Sequence, residues 1–468
     1  MSLSDQKQKV HFVGIGGIGM SGIAELLLRL GHQVSGTDVN TSPTTDRLVS
    51  MGAKIQRGHS AQILEEDRPD VIVYSSAISA QNPELVFARR HRIPAIPRAE
   101  MLGELMRLKR SVAVAGSHGK TTTTGMLSLI AREGGLDPTI VIGGKFGAIG
   151  SNASWGQGQW MIAEADESDG SFLNLSPEFA IVTNVDREHM DHYQNYDEAK
   201  LAFLRFINRL PFYGRSVLCG DNDDLYAMRD EIQKPRFWYG MRADRNPSYL
   251  CEVLSVDGSE TRFRVSKRGE GGAYTPFLES ALGVPGVHNV LNATAAIAMA
   301  DLLGVPPNLI AKSIATFEGV KRRFEYKTIY RGSQIIEDYA HHPTEIRATL
   351  EAAVSRFKTK PVVVFQPHRY TRTRDQWQDF ATCFAQAERV ITVPIYPASE
   401  SADEWTKAFD RENFACNIAG GKGIFCENLD AAGPRLEELL AEVGAGRPVL
   451  VLGAGNIYAG LSKFFGES

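Results

Sequence analysis

Short apolar runs recur along the chain, and most of them end at a glycine, a serine or a charged residue. Val10-His11-Phe12-Val13 runs into Gly14, Gln33-Val34-Ser35-Gly36-Thr37 ends at Asp38, and Val71-Ile72-Val73-Tyr74 ends at Ser75-Ser76. Ser111-Val112-Ala113-Val114-Ala115, Trp160-Met161-Ile162-Ala163 and Phe179-Ala180-Ile181-Val182-Thr183 repeat the pattern. So do Ile335-Ile336-Glu337-Asp338-Tyr339, Val362-Val363-Val364-Phe365, Val390-Ile391-Thr392-Val393 and Val449-Leu450-Val451-Leu452. Helical stretches lie between them, such as Met126-Leu127-Ser128-Leu129-Ile130-Ala131-Arg132, which stops at Gly134-Gly135. Strand and helix in alternation predict an α/β fold with open parallel sheets. The stretch from about 235 to 280 departs from this rhythm. Its alternating Thr261-Arg262-Phe263-Arg264-Val265 predicts a small antiparallel patch, and Gly286-Val287-His288-Asn289 then opens an Ala-rich helix.

A chain of 468 residues is too long for one ordinary core, and its length suggests about three domains. They are expected at 1–109, 110–321 and 322–468, the first closing at the charged stretch Arg107-Leu108-Lys109-Arg110. Net charge is −4 with no basic block, which gives no reason to expect nucleic acid. No apolar run approaches the roughly 20 residues that span a bilayer, so no membrane insertion is expected. The polar start, Met1 to Lys9, lacks a signal-peptide core, and the five cysteines are scattered without a Cys-x-x-Cys pair. Both point to a cytoplasmic, reducing setting and away from a zinc ribbon.

Two glycine turns carry the first chemistry. Gly14-Ile15-Gly16-Gly17-Ile18-Gly19 follows a strand and opens a helix, with Asp38 about 20 residues on, the arrangement of a dinucleotide or mononucleotide pocket. Gly116-Ser117-His118-Gly119-Lys120-Thr121-Thr122 also joins strand to helix. Glycines there let backbone N–H groups wrap phosphates, and the helix N-terminus adds partial positive charge. Lys120 can reach β- and γ-phosphates and a Thr hydroxyl can hold Mg²⁺. The turn is shorter than the usual phosphate loop, since Val114 stands where that pattern has its first glycine. ATP is the expected ligand.

Glu164, at the end of a strand, is a candidate for a hard cation, which prefers oxygen ligands. His189 taken alone reads either as a metal ligand or as a hydrogen-bonded loop residue, and Asp166, Glu167 and Asp169 either as site acids or as solvated ones. His341-His342 lacks further ligands at zinc spacing. Arg369 and Arg372, three apart after a strand, read either as a carboxylate clamp or as surface arginines.

Together these motifs resemble the Mur ligases. The resemblance runs from Val10 to near Ile457. It rests on the segments 11–22, 116–123, 164–169, 183–186, 188–191, 288–292, 338–345 and 366–372. It implies a Rossmann-like N-terminal domain for a UDP-linked substrate, a phosphate-loop ATPase-type central domain and a Rossmann-like C-terminal domain for the amino acid. It also implies ATP-dependent amide-bond formation through an acyl phosphate, in peptidoglycan precursor synthesis, with UDP-N-acetylmuramate and L-alanine as substrates and Mg²⁺ as cofactor.

By the same resemblance Lys120, His189 and Arg323 are catalytic, and Thr121, Glu164 and His189 hold metal. Gly116, Ser117, His118, Gly119, Lys120, Thr121, Thr122, Asn289, Asn292, Arg323 and Asp338 bind nucleotide. Gly14, Gly16, Gly17, Gly19, Asp38, Ser75, Ser76, Ser151, Asn152, His341, Arg369 and Arg372 line the substrates. Two departures stand out. Ser154 follows Gly150-Ser151-Asn152-Ala153 where relatives often carry a basic residue, and no lysine is identifiable as a carbamylated metal bridge, Lys200 being the nearest after His189. The alternatives are a sister ligase attaching a recycled murein tripeptide, an NAD-dependent oxidoreductase, and a non-catalytic nucleotide-binding module.

Overall fold

The computed structural model describes residues 3, 6–75, 78–146, 151–257, 260–398, 400–401, 404–444 and 446–466. Three sheets organise them. The first contains β1 (Lys9–Val13), β2 (Gln33–Asp38), β3 (Lys54–Arg57), β4 (Val71–Tyr74) and β5 (Ala95–Pro97). Their order is β3-β2-β1-β4-β5, with every neighbour parallel. The chain moves outward from β1 and then returns to β4 on its other side. That reversal opens a crevice at the carboxyl ends of β1 and β4, the ordinary place for a ligand.

The central sheet begins with β6 (Arg110–Ala115), β7 (Thr139–Phe146), β8 (Ser151–Ser154), β9 (Trp160–Glu164), β10 (Phe179–Val182), β11 (Arg215–Cys219) and β12 (Arg236–Gly240). They lie in the order β12-β11-β10-β6-β9-β7-β8. All of these pairs are parallel except β7 with β8. β6 therefore sits between β9 and β10, and the loops that leave these three parallel strands converge at one edge. The alternating region forms β13 (Tyr249–Asp257), β14 (Glu260–Arg268) and β15 (Tyr274–Leu282), adjacent in sheet order.

The third sheet holds β16 (Glu325–Tyr330), β17 (Ser333–Asp338), β18 (Val362–Phe365), β19 (Arg389–Thr392), β20 (Gly423–Phe425) and β21 (Val449–Leu452). Its order is β16-β17-β21-β18-β19-β20, parallel except for β16. Its apolar runs are continuous because both faces are covered. Val363, Phe365, Val390, Leu450 and Leu452 enter one core cluster. Their neighbours Val362, Val364, Ile391, Val449 and Val451 enter the other.

By packing, the chain divides into two compact units. One comprises Met1–Cys251, Val265–Leu278 and Leu291–Ile314, the other Glu252–Arg264, Glu279–Val290 and Ala315–Ser468. The first sheet thus shares a unit with the seven strands β6 to β12. The helix Ile18–Arg29 explains why: it packs on β7 and β8, where Gly22 leaves room for Ala153, 3.2 Å from where a Cβ would stand.

The turn that opens the third sheet is wound tightly. Arg322 and Phe324 both adopt left-handed backbone angles, φ +63° and +49°, three and five residues after Gly319 at +101°. The Arg322 side chain holds this turn to the sheet, donating from Nε to Glu337 (2.9 Å) and from Nη2 to the carbonyls of Gly453 (3.0 Å) and Gly455 (2.6 Å). Among the described residues no helix is long and apolar enough to cross a membrane.

Candidate functional site

At the end of β6 the backbone turns through Gly116 at φ +134° and Gly119 at +82°, angles that side chains with a Cβ resist. A Cβ at 116 would collide with Thr183 Oγ1, and one at 119 would lie 2.5 Å from Asn292 Oδ1. The segment after β10 fastens the turn. His118 N–H donates to Asn184 Oδ1 (2.8 Å), and Asn184 Nδ2 and Thr183 Oγ1 both donate to His118 O (3.0 and 2.6 Å). Asp186 N–H donates to Ser117 Oγ (2.9 Å), and His118 Nε2 lies 2.8 Å from Asp186 Oδ2. The helix Lys120–Glu133 starts directly from the turn. Its first N–H groups have no carbonyl a turn earlier, which makes its end an anion site.

Lys120 and the acids after β9 set the charge here. Lys120 Nζ donates to Gly116 O (2.6 Å), Ser117 O (3.1 Å) and Glu167 Oε1 (2.7 Å). Burial alone would depress the Lys120 ammonium, but Glu167, Asp166 and Glu188 outweigh it and hold it charged above the ordinary lysine range. Thr121 Oγ1 donates to Glu164 Oε1 (2.9 Å), whose other oxygen accepts from Gly143 N–H (2.7 Å). His189 groups elsewhere: its Nε2 is 3.7 Å from Glu167 Oε1 and 3.7 Å from Glu188 Oε1. The ligand atoms of Glu167, Glu188 and His189 all fall within 4.8 Å of one another.

The first glycine turn is built around an acid. Gly14, at φ +83°, and Ile15 donate their N–H groups to Thr37 O (2.8 and 3.0 Å). Asp38 Oδ2 accepts from Gly16 N–H (2.8 Å) and Oδ1 from Asn40 N–H (3.1 Å). Gly17 precedes the first turn of the helix Ile18–Arg29. A Cβ at Gly19 would meet the Arg98 guanidinium at 2.8 Å, and Arg98 Nη2 reaches Asp166 Oδ2 at 3.3 Å. Asn152 Nδ2 donates to Ile18 O. Arg98 and Asn152 thus link the first turn to the central sheet. Ser75 follows β4 and its carbonyl accepts from Ile78 N–H at 3.0 Å. Ser76 lies outside the described residues, and Ser151 is placed by its backbone in β8.

The third sheet presents its own polar edge. Asp338, buried at the end of β17, accepts from Phe324 N–H and Ala340 N–H, each at 2.7 Å. Burial pushes its carboxyl up to about 6, against the pull of Arg323 and of the two amides. Arg323 lies 5.0 Å over the Tyr339 ring, and its Nη1 is 3.5 Å from Glu345 Oε1. His341 Nδ1 faces Tyr339 O at 3.0 Å and Glu345 Oε2 at 3.3 Å. His368 stacks on Tyr396, and its Nδ1 lies 3.2 Å from Arg372 Nη1. Burial, with His341, Arg372 and Arg369 beside it, lowers this imidazole to about 3 and keeps it neutral. Arg369 takes φ +67° at the start of the helix Tyr370–Asp375. His342 is a helix cap, accepting from Thr344 N–H at 3.3 Å.

Three family models match the chain in order: the Mur ligase family catalytic domain over residues 9–110, the Mur ligase middle domain over 114–300 and the Mur ligase glutamate ligase domain over 322–455. The chain belongs to the Mur ligase family. It is 46% identical over 452 residues to the UDP-N-acetylmuramate–L-alanine ligase of Syntrophotalea carbinolica, covering 96% of this chain and 95% of that one. Its fold matches the crystal structure of UDP-N-acetylmuramate-alanine ligase from Thermotoga maritima with a TM-score of 0.78, at 30% identity over 98% of both chains. A murein peptide ligase from Psychrobacter arcticus shares the fold over 98% of both chains with a TM-score of 0.71, at 22% identity.

Within this Mur ligase the central sheet brings together Gly116 to Thr122, Glu164, His189 and Asn292. Arg323, Asp338, His341, Arg369 and Arg372 sit on the edge of the third sheet. Asn289 belongs to that second unit, where its Nδ2 donates to Pro285 O at 2.7 Å. The solvated-acid reading of the 164–169 cluster fails for Glu167, which is 2% exposed. A loop has no period, so nothing in the sequence tells which of its acids faces inward. Glu167, Glu188 and Arg98 are functional candidates that motif and spacing alone do not single out. Lys200 is paired with Asp197 at 2.7 Å. The paired oxygens of Thr121 and Glu164 suit a small hard cation such as Mg²⁺.

Proposed function

We infer that this Mur ligase joins L-alanine to UDP-N-acetylmuramate with hydrolysis of ATP to ADP and phosphate. The reading rests on one observation above others. A half-buried lysine and an oxygen-ligand pair flank a clamped phosphate turn, in a chain like alanine-adding ligases over nearly its whole length. A dehydrogenase would leave that turn idle. A non-catalytic module would not need a charged lysine held among acids.

The chemistry follows from the substrate. A carboxylate is a poor electrophile, and hydroxide is a poor leaving group. A carboxylate oxygen of the muramate attacks the γ-phosphorus of ATP, the bond to the ADP oxygen breaks, and an acyl phosphate forms. The alanine amine attacks the carbonyl carbon, loses a proton, and phosphate departs as the tetrahedral centre collapses.

In this reading the turn's N–H groups hold the phosphates and Lys120 stabilises charge on the group in transfer. Thr121 and Glu164 would hold Mg²⁺, which neutralises phosphate charge when bound. Asp38 and Arg98 position the sugar nucleotide at the first turn, and Asn152 closes that pocket from the central sheet. His341, Arg369 and Arg372 orient the amino acid, with Arg323 supplying charge toward the nucleotide. The reaction is one of cytoplasmic precursor assembly. Phosphate release from ATP, measured with UDP-N-acetylmuramate and each amino acid in turn, tests it. Release with L-alanine is expected. Release only with a tripeptide bearing a free amine, and not with alanine, sinks this reading in favour of the tripeptide-adding sister enzyme.

A further inference from the structure

Beneath the first glycine turn lies a group of polar side chains that the reaction above leaves without a task. Glu84 stands in the first turn of the helix Pro83–His91, which follows β4. Its N–H donates at 2.9 Å to Asn82 Oδ1, the cap of that helix. Its carboxyl oxygens meet side chains from the first three strands and the loop between them. Oε2 lies 2.8 Å from His11 Nε2, in β1, and Oε1 lies 3.0 Å from His59 Nδ1, just after β3. Thr37 Oγ1, in β2, donates between the two oxygens, 2.9 Å from each. His11 Nδ1 in turn lies 2.9 Å from Ser35 Oγ. His11, Thr37 and Glu84 are all inaccessible to solvent. Two residues along the same face of β1, Val13 packs in an apolar cluster with Ile72, Leu85 and Ala88.

A buried carboxylate beside two imidazoles is seldom the most stable filling for such a space, because apolar side chains of similar volume often do as well or better. Its position argues for a use. Thr37 O accepts from both Gly14 N–H and Ile15 N–H (2.8 and 3.0 Å), and Asp38, next in the chain, accepts from Gly16 N–H. The hydroxyl and the carbonyl of one residue thus join Glu84 to the turn. The helix that carries Glu84 belongs to the β4 side of the crevice, whereas His11 and Thr37 belong to β1 and β2. The carboxylate ties the two sides together.

We propose that Glu84 is a positioning residue for the sugar nucleotide, fixing the Thr37 peptide, and with it the first glycine turn, against the β4 side of the crevice. Without the bond from hydroxyl to carboxylate, the Thr37 carbonyl is free to rotate and the N–H groups of the turn lose their aim. The ligand must then order the turn as it binds. That weakens binding and leaves the chemistry at the second turn as it was. This inference rests on the reading of the first turn as the sugar-nucleotide site.

Calorimetry and steady-state kinetics on the full chain test it. Thr37→Val keeps the volume and removes the hydroxyl, and Glu84→Met keeps the length and removes both acceptors. Each should weaken UDP-N-acetylmuramate about tenfold in Kd and KM, with kcat and the KM values for ATP and L-alanine within about twofold of wild type. The double variant should bind no more weakly than the weaker single one, since both remove the same link. Thr37→Ser and Glu84→Gln, each keeping an oxygen for that link, should bind within about threefold of wild type. The two Thr37 variants carry the test if Glu84→Met does not fold. A fall in kcat with KM unchanged in Thr37→Val would make the network ordinary core and overturn the proposal. Losses that add in the double variant, or unchanged binding in both singles, would overturn it too. A wild type that does not bind UDP-N-acetylmuramate overturns the reading of the first turn itself.

Discussion

The two glycine turns of this Mur ligase use one backbone device for different ends. Each follows the carboxyl end of a strand and opens a helix. At the first, an acid completes the turn: Asp38 takes the N–H groups of Gly16 and Asn40 on separate oxygens. At the second, a lysine completes it, and the acids stand one step back, Glu167 on that lysine and Glu164 on the Thr121 hydroxyl and the Gly143 N–H. On the proposed function the first turn binds a preformed sugar nucleotide, which needs shape. On the same reading the second moves a phosphoryl group, which needs positive charge already in place when new negative charge develops. Side-chain charge, not backbone path, separates a binding turn from a reacting one.

Five substitutions press on that contrast. The largest effect belongs to Lys120→Ala. Turnover should fall by roughly 10²–10³, measured as phosphate release, while calorimetry finds binding of UDP-N-acetylmuramate unchanged. Near-normal turnover would erase the distinction between the turns.

Asp338 asks what a buried acid that holds amides, as Asp38 does, gives up for its burial. Its ordinary value is 3.8 and its native value about 6. The native state keeps the proton to higher pH than the unfolded chain, so this group's contribution to stability declines as pH rises from about 4 to about 6. Asp338→Asn removes the titration and one of the two amide acceptors. Urea unfolding should show wild type ahead at pH 4 and that lead shrinking by about 1–3 kcal/mol by pH 7. A constant gap would mean that Asp338 ionises as an ordinary aspartate.

Next comes a matched glycine pair. Gly116→Ala forces a Cβ onto φ +134° and into Thr183, and should cost about 1–3 kcal/mol in unfolding free energy. Gly17 has φ −60° and no non-neighbouring atom nearer than 3.4 Å to an added Cβ, so Gly17→Ala should stay within about 0.5 kcal/mol. Equal losses would show that both turns are equally strained. Asp38→Ala comes last. It leaves the Gly16 N–H without its acceptor, and the KM for the sugar nucleotide should rise about tenfold with kcat little changed. A fall in kcat alone would place Asp38 in the chemistry.

Much of the fold is legible in the order of residues along the chain. The strands with continuous apolar runs, β1, β4, β6, β9, β10, β18 and β21, are each covered on both faces, and that burial is what wrote the run. β3, Lys54-Ile55-Gln56-Arg57, lies at a sheet edge, is polar at three of its four positions and carries no such signal. β5 has only three residues. Of the site, the glycine turns, Lys120 and Glu164 are legible because strand, turn and helix fix their places locally. The partnership of Lys120 with Glu167 is not. It depends on how a loop after β9 folds back over a turn after β6, and 47 residues separate the two. Arg98 is hidden for the same reason, since its meaning lies in Asp166, 68 residues away.

The turn from Gly319 to Phe324 has a consequence for how this sequence can drift. Arg322 and Phe324 hold backbone angles that glycine would adopt with less strain, each at a cost of about 1 kcal/mol. Their side chains offset it, Arg322 by its bonds to Glu337, Gly453 and Gly455, and Phe324 by packing on the third-sheet core. Glycine at either position therefore trades local ease for lost anchorage, and no intermediate residue offers both. Neighbouring surface positions can wander freely under selection, whereas these two sit on isolated peaks. A variant library scored for thermal survival alone should return them nearly unchanged, and any glycine recovered there should come with a second substitution that re-anchors the turn.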